Sequence, residues 1–379
     1  MSEVVELLAQ MVAIPSVNPE AVVEPGPDCG EARMARFVRD WLCEHGVPAE
    51  TFDVFPDRPN VIATVDGPGD AAPIVFCAHM DTVRIDGMTI SPFDPVIRVG
   101  RLWGRGSCDD KGSLAGFMTA LADCVRSGGT GRKVTLVATM GEEISLVGIS
   151  KALEWGIDAK MAVVGEPTGL RLINAHKGAI RWRMATLGRC AHSSTPELGE
   201  NAIYKIVPVL NAVRSIEKRL AARPPHPQLG RPTISVGIIK GGNQVNIVPD
   251  RCRIDVDRRA MPSETEESIF AELDAALEEN GVAPGSVEIE RFLNSPGLET
   301  QRDAEIVTQV ARACSAVGLE PTPQGVAFCT EAGPLSCAGI PAVVIGPGEP
   351  SGAHTADESI EIAQLEASVR LYSRLMRGA

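Results

Sequence analysis

Residues 134–148 read VTLVATMGEEISLVG, an apolar run that ends on two adjacent glutamates. Val134 to Thr139 suit a fully buried β-strand, because an unbroken aliphatic and β-branched run fits a strand covered on both faces. Glu142 and Glu143 then set two like charges at the end of a core strand, where they repel and lose hydration. A buried strand of this kind belongs to an α/β sheet, and in such sheets ligands bind just beyond the carboxyl ends of the strands.

The same grammar extends outward from this stretch. PIVFCA (73–78) and MAVV (161–164) are further buried parallel strands, and periodic stretches at 30–45, 112–126 and 145–155 predict helices between them. From about residue 179 the pattern changes. IRWRMATLG predicts a strand, 199–221 a long helix, TISVGIIKG and RCRIDVDRRA alternating strands, 263–280 a second helix and SVEIERF a last strand. Strand–helix–strand–strand–helix–strand is the split βαβ order, with helices on one face of an antiparallel sheet. A helix at 301–317 and the strand PAVVIG (341–346) resume the first pattern, so the smaller domain is inserted. The expected organisation is 1–178 and 295–379 as one α/β domain, with 179–294 between them. RPPHPQLGRP (223–232) reads as a Pro-rich loop.

A chain of 379 residues is long for one core, which agrees with two domains. The formal charge of −13 argues against nucleic acid or an anionic membrane surface as a partner. No run of 18 apolar residues is present, and MSEVVELLAQMVAI carries Glu where a secretory leader carries Lys or Arg. A cytoplasmic protein is expected. Of the ten cysteines none forms a C-x-x-C pair, and Cys77 and Cys314 sit among small or apolar neighbours. They read as core thiols, without disulfides or a thiolate metal site.

The residues that follow each strand share one chemistry. After PIVFCA come His79 and Asp81, after VTLVATMG come Glu142 and Glu143, and after MAVVG comes Glu166. The loop PGEPSGAH delivers His354, and LWGRGSCDDKG supplies Asp109 and Asp110 ahead of a helix. Taken singly, each has a plain structural reading. A histidine after a strand usually satisfies a local hydrogen bond, Asp109–Asp110 suits a helix N-cap, and Glu142–Glu143 suits a helix dipole. Their convergence on one sheet edge argues otherwise, because neighbouring carboxylates are destabilising unless a cation neutralises them. His, Asp and Glu in this combination are zinc or manganese ligand types.

AHMDT, GRGSCDDKG, GEE, VVGEPT, AHSSTPELGENAI, GGNQVNIVPD, VDRRAMP and GPGEPSGAHTADE occur in this order from PSVNP (15–19) to AHTADE (353–358). Through them the chain resembles the dinuclear M20-type amidohydrolases and peptidases of the acetylornithine deacetylase, succinyl-diaminopimelate desuccinylase and carboxypeptidase G2 type. GEPTGLRLINAHKG, CAHSSTPELGENAI and FCTEA (328–332) lean towards acetylornithine deacetylase. The resemblance implies a zinc-peptidase-like mixed sheet sandwiched by helices, with an inserted ferredoxin-like α+β lid and dimerisation domain. It also implies two divalent metal ions, zinc first, with cobalt or manganese as alternatives. Asp109 would bridge them, one ion being held by His79, Asp109 and Glu166 and the other by Asp109, Glu143 and His354. Asp110 fills a variable slot.

The resemblance makes Asp81 the acceptor that fixes the His79 tautomer and Glu142 the general base. Adjacent residues on extended chain project in opposite directions, so Glu143 can ligate where Glu142 cannot. His192 would stabilise the oxyanion from the partner subunit of a homodimer, although a loop histidine is ordinarily just solvated. Arg259 would bind a substrate carboxylate with Asn246 as its partner, against the reading of a surface charge, and Thr330 and Gly348 would line the pocket. His45 and His226 read as inert, and His176 is left open. Gly141 departs from the Asp common in relatives. Phe328 is bulky where desuccinylases are small.

The expected reaction is metal-dependent hydrolysis of the amide of a small-molecule N-acyl amino acid, most like acetylornithine deacetylation. Succinyl-diaminopimelate desuccinylase, aminoacylase and dipeptidase are alternatives with the same metal centre. An inactive acyl-amino-acid-binding relative is a more remote alternative, since such a chain should have lost a ligand or the base.

Overall fold

The structure, a computed structural model, describes residues 1–68 and 71–378. It divides into two compact units. One comprises Met1–Ala175, Glu299–Gly325 and the chain from Thr330 onward, and the other His176–Leu298 with Val326–Cys329.

The first unit is built on a long mixed sheet. At its centre Val134–Thr139, Ile74–His79, Met161–Val164 and Ala342–Val344 lie side by side and parallel. Every residue of these four strands is buried, as their unbroken apolar character requires. Helices Glu3–Val12, Ala32–Glu44, Lys111–Arg126, Glu305–Ala316 and Ile362–Arg377 contribute apolar faces to the same core. Phe76 meets Phe117 at 5.1 Å and Phe117 meets Tyr372 at 4.4 Å between ring centroids. Each such ring contributes about 1.5–3 kcal/mol by leaving water. The Tyr372 hydroxyl donates to the Ile345 carbonyl at 3.0 Å, so its polar tip is satisfied.

The sheet is mixed because antiparallel strands flank this centre. A hairpin of Ala49–Phe55 and Arg58–Val65 adds antiparallel to Val134–Thr139, and Ile173–His176 adds antiparallel to Ala342–Val344. The hairpin has no apolar-run signature, since AETFDVF leaves most of its residues partly or fully exposed. Val96–Arg98, Arg101–Trp103 and Ser359–Glu361 form a separate three-stranded sheet.

The second unit is an antiparallel sheet in the order Thr233–Gly241, Arg251–Ala260, Gly178–Leu187, Val287–Ser295. Helices Ala202–Ala222 and Glu266–Glu279 join its core. This is the expected ferredoxin-like order. Arg251–Ala260 buries alternate residues, Cys252, Ile254, Val256, Arg258 and Ala260 facing inward. Trp182 meets Phe270 with centroids 5.3 Å apart. The helices start where their sequences cap them: Asn201 accepts from the N–H groups of Ile203 and Tyr204, and Thr265 and Ser268 form a capping box. Thr233–Gly241 is an edge strand with Ile238 and Ile239 exposed. All ten cysteines of the chain are free, and no helix among the described residues is long and apolar enough to cross a membrane.

Candidate metal centre

The four parallel strands of the first unit end side by side, and their ends deliver the acids and histidines. His79 is the last residue of its strand, Glu142 and Glu143 follow Thr139, and Glu166 follows Val164. Asp109 lies just before the helix that starts at Lys111. His354 comes on the loop after Ala342–Val344, with a left-handed φ of +60°.

These side chains converge on Asp109. His79 Nε2 is 3.1 Å from Asp109 Oδ1, and His354 Nε2 is 3.1 Å from both Asp109 Oδ2 and Glu143 Oε2. His79, Asp109 and Glu143 place one ligand atom each within 4.8 Å of one another, and so do His79, Glu142 and Glu166. Glu142 therefore joins a possible donor set. Strand alternation would turn it away from the ligands, but the strand ends at Thr139 and the chain beyond it need not alternate.

The protonation states of this cluster call for a cation. His79 Nδ1 lies 2.9 Å from the Asp81 carbonyl, which can only accept, so Nδ1 carries the proton. In the neutral ring the Nε2 lone pair then faces the Asp109 carboxylate, two acceptors with nothing positive between them. Burial opposes charge on His79, yet Asp109 and Asp81 outweigh it and push the imidazole well up. His354 is pushed up to about 10 by its hydrogen bonds to Asp109 and Glu143. Burial, then neighbouring carboxylates, drive Glu166 far above its usual range, and Glu143 rises to about 6 from burial and Asp109. Burial also raises Glu142 strongly. Glu143 Oε1 is buried without a hydrogen-bond partner. The donor chemistry, the facing acceptors and this bare oxygen all fit divalent ions in place of the protons.

Asp81 meets the His79 ring through its main chain. Its carboxylate Oδ1 is 3.6 Å from His79 Nδ1, whereas its main-chain carbonyl is at hydrogen-bond distance. The carboxylate instead accepts the N–H of Glu142 at 3.0 Å and of Glu143 at 3.2 Å, with Asn18 Nδ2 at 2.8 Å. The chain leaves the strand after His79, which brings the carbonyl of residue 81 under the ring and frees the carboxylate to hold the turn carrying both glutamates.

Gly348 and Thr330 also lie in the first unit. Gly348 has φ +93°, and a Cβ there would come within 2.6 Å of Cys108 Sγ, so only glycine fits. Thr330 is buried, and its hydroxyl accepts the N–H of Ala332. His192, Asn246 and Arg259 belong to the second unit. His192 is opposite Ile247 in a short two-stranded ladder, and Ser193 N–H donates to the Asn246 carbonyl at 3.0 Å. Ser194 N–H donates to His192 Nδ1, which in the neutral ring leaves the proton on Nε2. Arg259 pairs with Asp257 at 3.0 Å. His45 stacks on Trp41 and donates to its carbonyl, a structural role. His176 is fully buried, and burial lowers it to about 4.

Several buried charged residues were not singled out by sequence reasoning. Lys111 donates to the Met11 and Ile14 carbonyls and is lowered to about 7 by burial. Glu331 accepts from the Cys77 thiol at 3.1 Å, and Arg105 pairs with Glu358. The only available signal was their position inside the motif pieces GRGSCDDKG, FCTEA and AHTADE.

The chain is similar to known proteins over nearly its whole length. A family model described as peptidase family M20/M25/M40 matches residues 75–378. The chain is 31% identical to an acetylornithine deacetylase of Proteus mirabilis, over 99% of this chain and 96% of that one. It is 30% identical to an acetylornithine deacetylase of Photorhabdus laumondii, over 98% and 96%. Among solved structures, an M20 family metallo-carboxypeptidase of Sulfolobus solfataricus superposes with a TM-score of 0.82 at 19% identity, covering 100% of this chain and 99% of that one.

Proposed function

The chain belongs to peptidase family M20/M25/M40, and from that premise we propose that it is a two-metal hydrolase cleaving the amide of a small N-acyl amino acid, in the manner of acetylornithine deacetylation. The observation that carries this reading is Asp109, whose two oxygens each face the Nε2 of a different histidine at 3.1 Å. His79, Asp109 and Glu166 would hold one ion and Asp109, Glu143 and His354 the other. Zinc suits imidazole and carboxylate donors, with cobalt or manganese as alternatives. What such ions supply is Lewis acidity, which polarises a carbonyl and makes water acidic enough to attack near neutral pH.

The chain's own residues do the rest. The Asp81 carbonyl keeps the proton on His79 Nδ1 and so presents Nε2 as a ligand. The Asp81 carboxylate pins the main chain of Glu142. Burial raises the proton affinity of Glu142, which suits a group that takes a proton from water and passes it to the departing amine. Two acids on one turn thus divide the work between ligation and proton transfer.

For His192, Asn246 and Arg259 the motif match is the main support. His192 would donate to the oxyanion from a partner subunit, and Arg259 with Asn246 would take the substrate carboxylate, for which a guanidinium fork is suited. Thr330 and Gly348 would shape the pocket. A homodimer through the second unit is supported by the apolar side chains it exposes, Tyr204, Val207, Ile238 and Ile239.

The test is amine release from N-acetylornithine, N-acetyl-lysine, N-acetylmethionine, N-succinyl-diaminopimelate and a dipeptide, on protein with its metal content measured. Preference for acetylornithine is expected. Turnover of none of them by protein holding two ions would overturn the substrate assignment.

A further inference from the structure

GRGSCDDKG and AHTADE are tied together by a buried ion pair, Arg105 with Glu358. Glu358, the last residue of AHTADE, is 1% exposed. Its Oε1 accepts the N–H groups of Cys108 at 2.9 Å and Asp109 at 3.0 Å. Its Oε2 meets Nη1 of Arg105, from GRGSCDDKG, at 2.5 Å. Arg105 Nη2 reaches on to the carbonyls of Arg84 at 3.1 Å and Thr355 at 3.3 Å. One carboxylate therefore grips the backbone of Asp109, while its partner guanidinium grips the backbone one residue beyond His354.

The two histidines differ in how much help they need. His79 ends a buried strand and is 1% exposed, with Nδ1 anchored on Asp81. The His354 side chain is 52% exposed, and its main chain has φ +60°, a conformation most side chains avoid. The sheet fixes His79, and packing does not fix His354. A buried, charge-assisted bracket is the kind of contact that can.

We propose that Arg105 and Glu358 are positioning residues for the His354 side of the metal centre. They set the approach of His354 to Asp109 and thereby the affinity of the ion held by Asp109, Glu143 and His354, with little effect on the ion at His79, Asp109 and Glu166. This inference rests on the ligand assignment proposed above. Glu358→Gln keeps an acceptor for the two N–H groups and removes only the charge that holds Arg105. Arg105→Gln leaves Glu358 on Asp109 and cuts the tie to Thr355.

The experiment is zinc titration calorimetry on metal-free protein, with visible spectra of the cobalt-loaded form, for wild type, Glu358→Gln, Arg105→Gln, Arg105→Lys and His354→Ala. His354→Ala identifies which equivalent and which cobalt band belong to its side. In Glu358→Gln and Arg105→Gln that same equivalent is expected to weaken about 10- to 100-fold, with the same cobalt band altered and the other equivalent retained. Arg105→Lys is expected to recover part of the loss. If His354→Ala loses an equivalent but Arg105→Gln keeps both at wild-type affinity, the inference is overturned alone. It is equally overturned if both equivalents weaken together in step with a lower melting temperature of the metal-free protein, the result of a merely structural pair. If His354→Ala itself keeps both equivalents, the ligand assignment is wrong and the inference falls with it. Should Glu358→Gln not fold, the two Arg105 variants decide the question.

Discussion

The two units bury charge in opposite ways. In the second unit Arg258 is fully buried, yet it meets Glu264 at 2.5 Å and Glu272 at 3.4 Å, and Arg223 meets the same two acids. Two arginines stand against two glutamates, and the network closes on itself. In the first unit Asp81, Asp109, Glu142, Glu143 and Glu166 gather around His79 and His354, and burial pushes several of the acids towards neutrality. A charge-balanced network explains itself as architecture. An unbalanced one is explained only by what it is meant to hold.

The largest expected effect is on turnover. Glu142→Gln should lower kcat about 10²- to 10⁴-fold while retaining two ions, and should leave the metal-free protein no less stable, because it removes one of several crowded acids. A metal-free variant less stable than wild type by urea unfolding would break the contrast. In the second unit, Arg258→Met should instead destabilise by about 3 kcal/mol, the low end for a broken buried pair, because the partly exposed Glu264 and Glu272 keep Arg223. Urea unfolding checks this, and a neutral result would show that the network contributes little.

Next comes His176, whose pKa of about 4 lies below the usual histidine value near 6.5. Its burial as a neutral ring stabilises the fold fully above pH 6.5, and this contribution is lost as pH falls towards 4. The total is about 3 kcal/mol, and His176→Gln should flatten that part of the stability profile. An unchanged slope between those pH values would remove His176 as its source. The smallest effect belongs to the exposed pair Arg219–Glu279. Arg219→Ala should cost less than about 1 kcal/mol, and a larger loss would mean that exposed pairs in this unit do more than solvated ions ordinarily do.

Much of this was legible in the sequence because it depends on long or repeated patterns. Continuous apolar runs gave the parallel centre of the first sheet, and alternation such as RCRIDVDRRA gave the antiparallel sheet of the second unit. Strand ends in such a sheet come together whatever the intervening loops do, which drew attention to His79, Glu142, Glu143 and Glu166, while the set of His79, Asp109, Glu143, Glu166 and His354 as ligands came from the resemblance. The hairpin at 49–65 was not legible, since a half-exposed strand with acids in it looks like a loop. Nor were the three-residue strands Val96–Arg98, Arg101–Trp103 and Ser359–Glu361, which are too short to carry a period. The contacts of Asp81, Glu358 and Arg105 were hidden for another reason. A buried charge announces its type in the sequence but not its partner, and the partner of Glu358 is 253 residues away.

The open edge of the second unit's sheet has a practical consequence. Thr233–Gly241 presents main-chain donors and acceptors along TISVGIIKG, whose only charged residue is Lys240. Such an edge is a template for further strands unless something covers it. If a second copy provides that cover, dilution uncovers it by mass action. At equal protein concentration, a substitution that weakens this pairing should then make the protein clump on storage sooner. A lysine at Ile238 or Ile239 would protect the separated subunits against this, at the expense of their reassembly.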